Sequence, residues 1–217
     1  MADGALWTHA PLVALDLEGT GAQDRDAEAI LEIALIPITA GRPSPDGAYT
    51  TLINPGRRIR QRPWISPGLT NSALAAAPRL SDVEPLLHQR LSAKILVGHN
   101  IAVDWRLLHR RCPTIKPSGL IDTLRLARHL HPGLREKSLT ALIERYALTD
   151  RVTDLAPGSR PHRALWDATA AALLLTALVN DLPNSAALGL NELRHVSGLP
   201  MQDDPQPPDA AEQLPLL

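Results

Sequence analysis

Three polar stretches sit at the ends of apolar segments, and this placement constrains the fold more than any other feature of the chain. Leu12-Val13-Ala14-Leu15 runs into Asp16-Leu17-Glu18-Gly19-Thr20-Gly21. Ile95-Leu96-Val97 runs through Gly98 into His99-Asn100-Ile101-Ala102-Val103-Asp104. His162-Arg163-Ala164-Leu165-Trp166-Asp167 opens an Ala/Leu-rich segment that reaches Val179. Short apolar runs bounded by turn signals read as buried strands, and the longer Ala/Leu segment reads as a helix.

The remaining pattern fills in a mixed sheet. A second strand is expected over residues 29–39 and a third over residues 48–53, ended by Asn54-Pro55-Gly56. Short links between the first three make an antiparallel meander. A helix follows over residues 81–91, with Ser81 or Asp82 as N-cap. Residues 95–97 form a fourth strand, and Asn100 caps a helix running to about Arg110. Leu120-Ile121 is a short fifth strand, with helices expected over residues 123–130 and 138–146. Pro161 suits the first turn of the long helix, about residues 162–179. Strands first, then strands alternating with helices, predict one sheet covered by helices. Residues 1–185 form the expected domain and residues 186–217 a C-terminal extension. That extension holds one short helix over 190–196 and a Pro-rich tail expected to be disordered.

With 217 residues, 44 % of them hydrophobic, the chain can bury a full core. Its net charge of −1 excludes a global basic field, so an anionic partner must be met by local positive charge. Lysine occurs only at 94, 116 and 137, and the arginine excess suits phosphate, although codon bias explains it equally well. Cys112 is the single cysteine, which fits a reducing cytoplasm. Residues 1–15 lack a basic n-region and a cleavage site, and the most apolar run, 168–179, is too short to span a bilayer. A cytoplasmic protein with no membrane partner is expected.

Asp16 and Glu18 lie two apart at a strand end, so the strand period puts both on one face. Carboxylates that close resist joint ionisation, and a divalent cation removes the conflict. Asp104 falls about one turn into its helix, and Asp167 lies beside an apolar stripe, where an unpartnered acid is costly. His162 precedes Asp167 on a loop or first turn and is a natural proton acceptor. Four carboxylates and a histidine suit two divalent metal ions, Mg²⁺ or Mn²⁺, and a general base, a set fitted to phosphodiester hydrolysis. Taken singly, each acid reads equally well as a solvated surface residue.

Taken together, Asp16-x-Glu18 with Thr20-Gly21, His99-Asn100 with Asp104, and His162-x-Ala164-x-x-Asp167 resemble the three motifs of the DEDD superfamily of 3′→5′ exonucleases, DEDDh branch. This is the ribonuclease-H-like group that includes the proofreading epsilon subunit of bacterial DNA polymerase III. The resemblance spans about residues 12–179, and Ile53-Asn54-Pro55-Gly56 and Ile121-Asp122-Thr123-Leu124 share it. It implies an α/β fold with a five-stranded mixed sheet flanked by helices, and removal of nucleoside 5′-monophosphates from DNA or RNA. It implies Asp16, Glu18, Asp104 and Asp167 as metal-binding acids, with Asp16 bridging, and His162 as base. Gly19, Thr20 and Asn100 are then candidate contacts to the terminal nucleotide. Two positions depart from the family: Val103 stands where an aromatic is common, and Pro67-Gly68-Leu69-Thr70 stands where a histidine usually opens the element.

Arg57, Arg58, Arg60 and Arg62 are candidate phosphate contacts or a solvated loop. The scarcity of aromatics, with four Trp, two Tyr and no Phe, argues against a broad stacking platform and for an aliphatic wedge against the terminal base. The final Gln213-Leu214-Pro215-Leu216-Leu217 resembles peptides that bind bacterial sliding clamps, or is a frayed end. Nucleic acid is the expected partner, with DNA preferred over RNA and a sliding clamp as a further candidate through Gln213–Leu217; a 3′→5′ exoribonuclease and a non-catalytic clamp- or polymerase-associated subunit are the alternative readings.

Overall fold

The computed structural model describes residues 5–201. Its strands are β1 (Leu12–Gly19), β2 (Ile30–Thr39), β3 (Arg42–Pro43), β4 (Tyr49–Leu52), β5 (Ile95–Gly98), β6 (Gly119–Asp122) and β7 (Gly198–Leu199). Its helices are α1 (Asn71–Ala75), α2 (Leu80–Leu91), α3 (Ala102–Arg111), α4 (Thr123–Leu130), α5 (Leu139–Arg145), α6 (Thr149–Leu155), α7 (Ala164–Asn180) and α8 (Leu190–Ser197). The sheet order is β3-β2-β1-β5-β6-β7, with β4 also on β2. β1 runs antiparallel to β2 and parallel to β5, β6 is parallel to β5, and β7 closes the edge antiparallel.

β1 lies inside the sheet with both faces covered. Leu12 and Ala14 pack in the cluster built on α7, whereas Val13 and Leu15 pack against residues of α2 and α3. Strict alternation between two apolar layers explains the continuous apolar run in the sequence. α7 is buried nearly all round, and Ala168, Ala170, Ala171 and Ala172 let it lie close to β1 and β2. Among the described residues, no helix is long and apolar enough to cross a membrane.

The five expected strands are all present, and two more join them. β3 and β7 have two residues each, too few to show a period. α1 and α6 were not anticipated: α1 spans five residues capped by the Thr70 hydroxyl, and α6 buries only Val152, so neither carries an apolar stripe. The caps also differ. Asp82 accepts from the Arg79 N–H at 3.0 Å from inside the first turn of α2, rather than starting the helix. Asn100 does not cap α3; it sits in a left-handed turn with φ 67°, its N–H donating to Asp122. Asparagine tolerates that conformation better than most residues. Pro161 precedes α7 instead of lying in its first turn, because His162 takes φ 64° between them.

Residues 186–199, expected as part of an extension, pack into the same body. Leu193 of α8 is fully buried with α7 residues, and β7 pairs with β6. Gln213 to Leu217 lie outside the described residues.

Candidate active site

Asp16 and Glu18 continue the face of β1 occupied by Leu12 and Ala14, so both acids meet α7. Asp167 stands in the first turn of α7, where the helix dipole favours a carboxylate. One ligand oxygen from each of Asp16, Glu18 and Asp167 lies within 4.8 Å of the others. Asp104 arrives from the first turn of α3. Its Oδ1 accepts from the Leu17 N–H at 2.9 Å, which fastens α3 to the strand segment between the first two acids. Asp104 is buried and stands beside the group of three rather than within it.

The four acids share an unfavourable environment. Burial, then Asp104, Asp167, Glu18 and Glu32, push Asp16 well above the ordinary carboxylate range. Glu18 is pushed up to about 8, chiefly by burial, with the nearby acids adding and the Ser66 hydroxyl opposing. Burial is also the main cause for Asp104, raised to about 7, and Asp167, raised to about 6. An all-oxygen set of crowded acids fits a hard divalent cation, whose charge relieves both desolvation and repulsion.

His162 is exposed on the turn ahead of α7, and its N–H donates to Asp167 Oδ1 at 3.4 Å. Its neighbour Arg163 makes a two-pronged pair with Glu32, at 2.7 Å for both contacts, and the Ala164 N–H adds a third bond to the same carboxylate. Glu32 lies opposite Glu18 on β2 and is buried. The pair therefore pins the start of α7, and with it the His162 turn, to the sheet beside the acids. Arg163→Ala strands the Glu32 charge and should lower unfolding stability by about 3 kcal/mol, read by urea denaturation. A change under about 0.5 kcal/mol, the scale of an exposed pair, would contradict this.

The other expected contacts are dispersed. Gly19 lines a cleft of 140 Å³ with Leu17, Gly21, Val103, Asp104 and Leu107. Thr20 is committed to the fold: its N–H donates to Ala29, its hydroxyl accepts from the Ala29 N–H, and its carbonyl accepts from Trp64. Thr20 is buried, so these bonds hold the loop that follows β1. Asn100 is exposed at the turn before α3. Both ring nitrogens of His99 are engaged, by the Thr123 hydroxyl and the Lys137 carbonyl, so His99 braces the turn. Arg57 and Arg62 pair with Asp24 at 3.1 and 2.9 Å, and Arg57, Arg58 and Arg60 are all exposed. A larger cavity of 760 Å³, lined by Pro11, Leu12, Pro37, Ile38, Leu86 and Arg90, opens at the start of β1, away from the acids.

Ser66 and Glu32 escaped sequence reasoning. A lone acid inside Ile30-Leu31-Glu32-Ile33 was the available signal, since a buried charge needs a partner. Ser66 carried no such mark.

An exonuclease family model of the RNase T type matches residues 13–175, the span that carries all four acids and His162. The chain belongs to this exonuclease family. It is 30 % identical over 181 residues to a DNA polymerase III subunit epsilon-like protein of Rhodobacter capsulatus, covering 82 % of this chain and 24 % of that one. It is 28 % identical over 174 residues to the DNA polymerase III subunit epsilon of Aquifex aeolicus, covering 78 % of this chain and 81 % of that one. The chain thus spans about a quarter of the first relative and most of the second. The fold matches exonuclease X, solved in complex with 5′ overhanging duplex DNA, with a TM-score of 0.62 and 27 % identity over 85 % of this chain and 98 % of that one.

Proposed function

We propose that this chain is a metal-dependent 3′→5′ exonuclease that releases nucleoside 5′-monophosphates from DNA, in repair or proofreading. The convergence of Asp16, Glu18 and Asp167 within 4.8 Å, beside the His162 turn, carries this reading. Asp16, Glu18, Asp104 and Asp167 would hold two divalent ions, Mg²⁺ or Mn²⁺. When bound, such ions acidify water and neutralise charge that develops on a phosphate. The chain's own residues do the rest. The acids fix anionic ligands on rigid elements, two on β1, one on α3 and one on α7. His162, exposed on its turn, takes the proton from the attacking water as general base. Names of relatives favour DNA: a polymerase III epsilon subunit and an exonuclease bound to duplex DNA. A cytoplasmic setting agrees with the buried free thiol of Cys112. A time course on end-labelled DNA and RNA of one sequence, single- and double-stranded, tests the proposal. Stepwise loss of mononucleotides from the 3′ end of DNA is expected. Cleavage from the 5′ end, or of RNA alone, would refute it.

The acids also dictate a pH dependence. Unfolded, they ionise near pH 4. Folded and metal-free, Asp167 holds its proton to about 6, Asp104 to about 7 and Glu18 to about 8. The folded state then binds more protons than the unfolded one across this window. This contribution to stability is complete below about pH 4 and is lost as pH rises through 6 to 8. Thermal melts in EDTA should fall between about pH 5.5 and about pH 8.5, and Mn²⁺ should raise the melting temperature more at the upper pH. Equal increments at both would show that the acids do not bind the ion.

A further inference from the structure

Resting on the exonuclease reading, we infer that Trp64 is a stacking site for one base of a single-stranded 3′ end. Three of the four tryptophans, Trp7, Trp105 and Trp166, are buried at 4–5 % exposure. Trp64 is 49 % exposed, and its indole reaches the Thr20 carbonyl, two residues beyond Glu18. Two residues later Ser66 sets its hydroxyl on Glu18, and two residues span at most about 7 Å between Cα atoms. The segment between Pro63 and Pro67 thus sends one side chain into the core (Ile65), one to a site carboxylate and one into solvent.

The indole is held, not loose. Its Nε1–H donates to the Thr20 carbonyl at 3.2 Å, and the guanidinium of Arg62 lies over the ring at 5.2 Å. The same edge of the ring packs on Gly21, whose φ of 96° favours glycine and where a Cβ would come within 2.7 Å of Nε1. A large apolar surface kept in water, yet fixed in orientation, is organised in advance for a flat ligand. Every nucleobase has a π-face, so such a contact tolerates any sequence, and loss of one is worth about 5- to 100-fold in affinity. The acids at its side receive the phosphodiester of the strand whose base it holds. This replaces the aliphatic wedge expected from composition with a single aromatic.

Binding of an oligothymidylate of about 12 nucleotides with Ca²⁺ as the cation tests this. Trp64 dominates accessibility to acrylamide, so bound oligonucleotide should protect tryptophan fluorescence from quenching. Trp64→Leu should weaken binding by about 5- to 100-fold, while Trp64→Phe, which also lacks the Nε1 bond, should recover most of it. An abasic residue at one of the last three positions should weaken the parent and leave Trp64→Leu unaffected. Losses that simply add at all three positions, or unchanged quenching of the parent, would overturn the assignment, and neither quenching nor the abasic scan of the parent needs a variant to fold. A parent that trims DNA in Mg²⁺ without this coupling leaves the nuclease reading standing and removes Trp64. A parent that neither trims nor binds DNA removes both.

Discussion

Asp16→Asn should abolish exonuclease turnover while raising the melting temperature of the metal-free protein. Asp16 receives more opposing influences than any other acid in the cluster: burial and four neighbouring carboxylates all disfavour its charge. Replacing it with an isosteric amide removes repulsion at once, so the metal-free fold gains. The same change removes an anionic ligand from a group whose oxygens lie within 4.8 Å, so the gain on adding Mn²⁺ should shrink. Turnover should fall by about 10²–10³-fold or more, the scale of losing a group that stabilises developing charge. Activity within tenfold of the parent would take Asp16 out of the reaction. A lowered melting temperature in EDTA would mean that its carboxylate holds the fold together by bonds the cluster does not show. Opposite signs for stability and activity in one variant are the mark of a strained functional site.

The second large effect is expected at His162. Removing the imidazole should slow the chemical step by about 10²–10⁴-fold, the usual contribution of a positioned general base. The choice of replacement matters, because His162 has φ 64°. Alanine there adds backbone strain to loss of the side chain, whereas glycine adopts the conformation freely and asparagine tolerates it. His162→Gly and His162→Asn should therefore be as slow as His162→Ala but more stable. Free imidazole added to His162→Gly should restore part of the rate. Full activity in the glycine variant would show that the turn, through its N–H to Asp167, matters and the ring does not.

Much of the site was legible because its residues obey local periods. Asp16 and Glu18 share a face by the strand period, and Asp167 follows His162 at the mouth of an unmistakable helix. Asp104 was readable as a first-turn acid even though its cap was misassigned: the left-handed Asn100 turn is set by Asp122, 22 residues away. What stayed hidden depends on partners distant in the chain. Arg163 and Glu32 are 131 residues apart, Trp64 and Thr20 are 44 apart, and no short-range pattern links them. The two added strands were unreadable for a different reason: a two-residue ladder takes its geometry from the neighbouring strand.

α7 is packed on almost every side, whereas the turn that feeds it is exposed and is tied down by a few polar contacts: Arg163 on Glu32, Arg160 on the Pro67 carbonyl and the His162 N–H on Asp167. Asp167 and His162 thus stand on footings of unequal rigidity. Warming should release the His162 turn first, so the proposed activity should fail several degrees before the acid cluster comes apart. The first element to loosen would thus be one short turn and the handful of contacts that hold it.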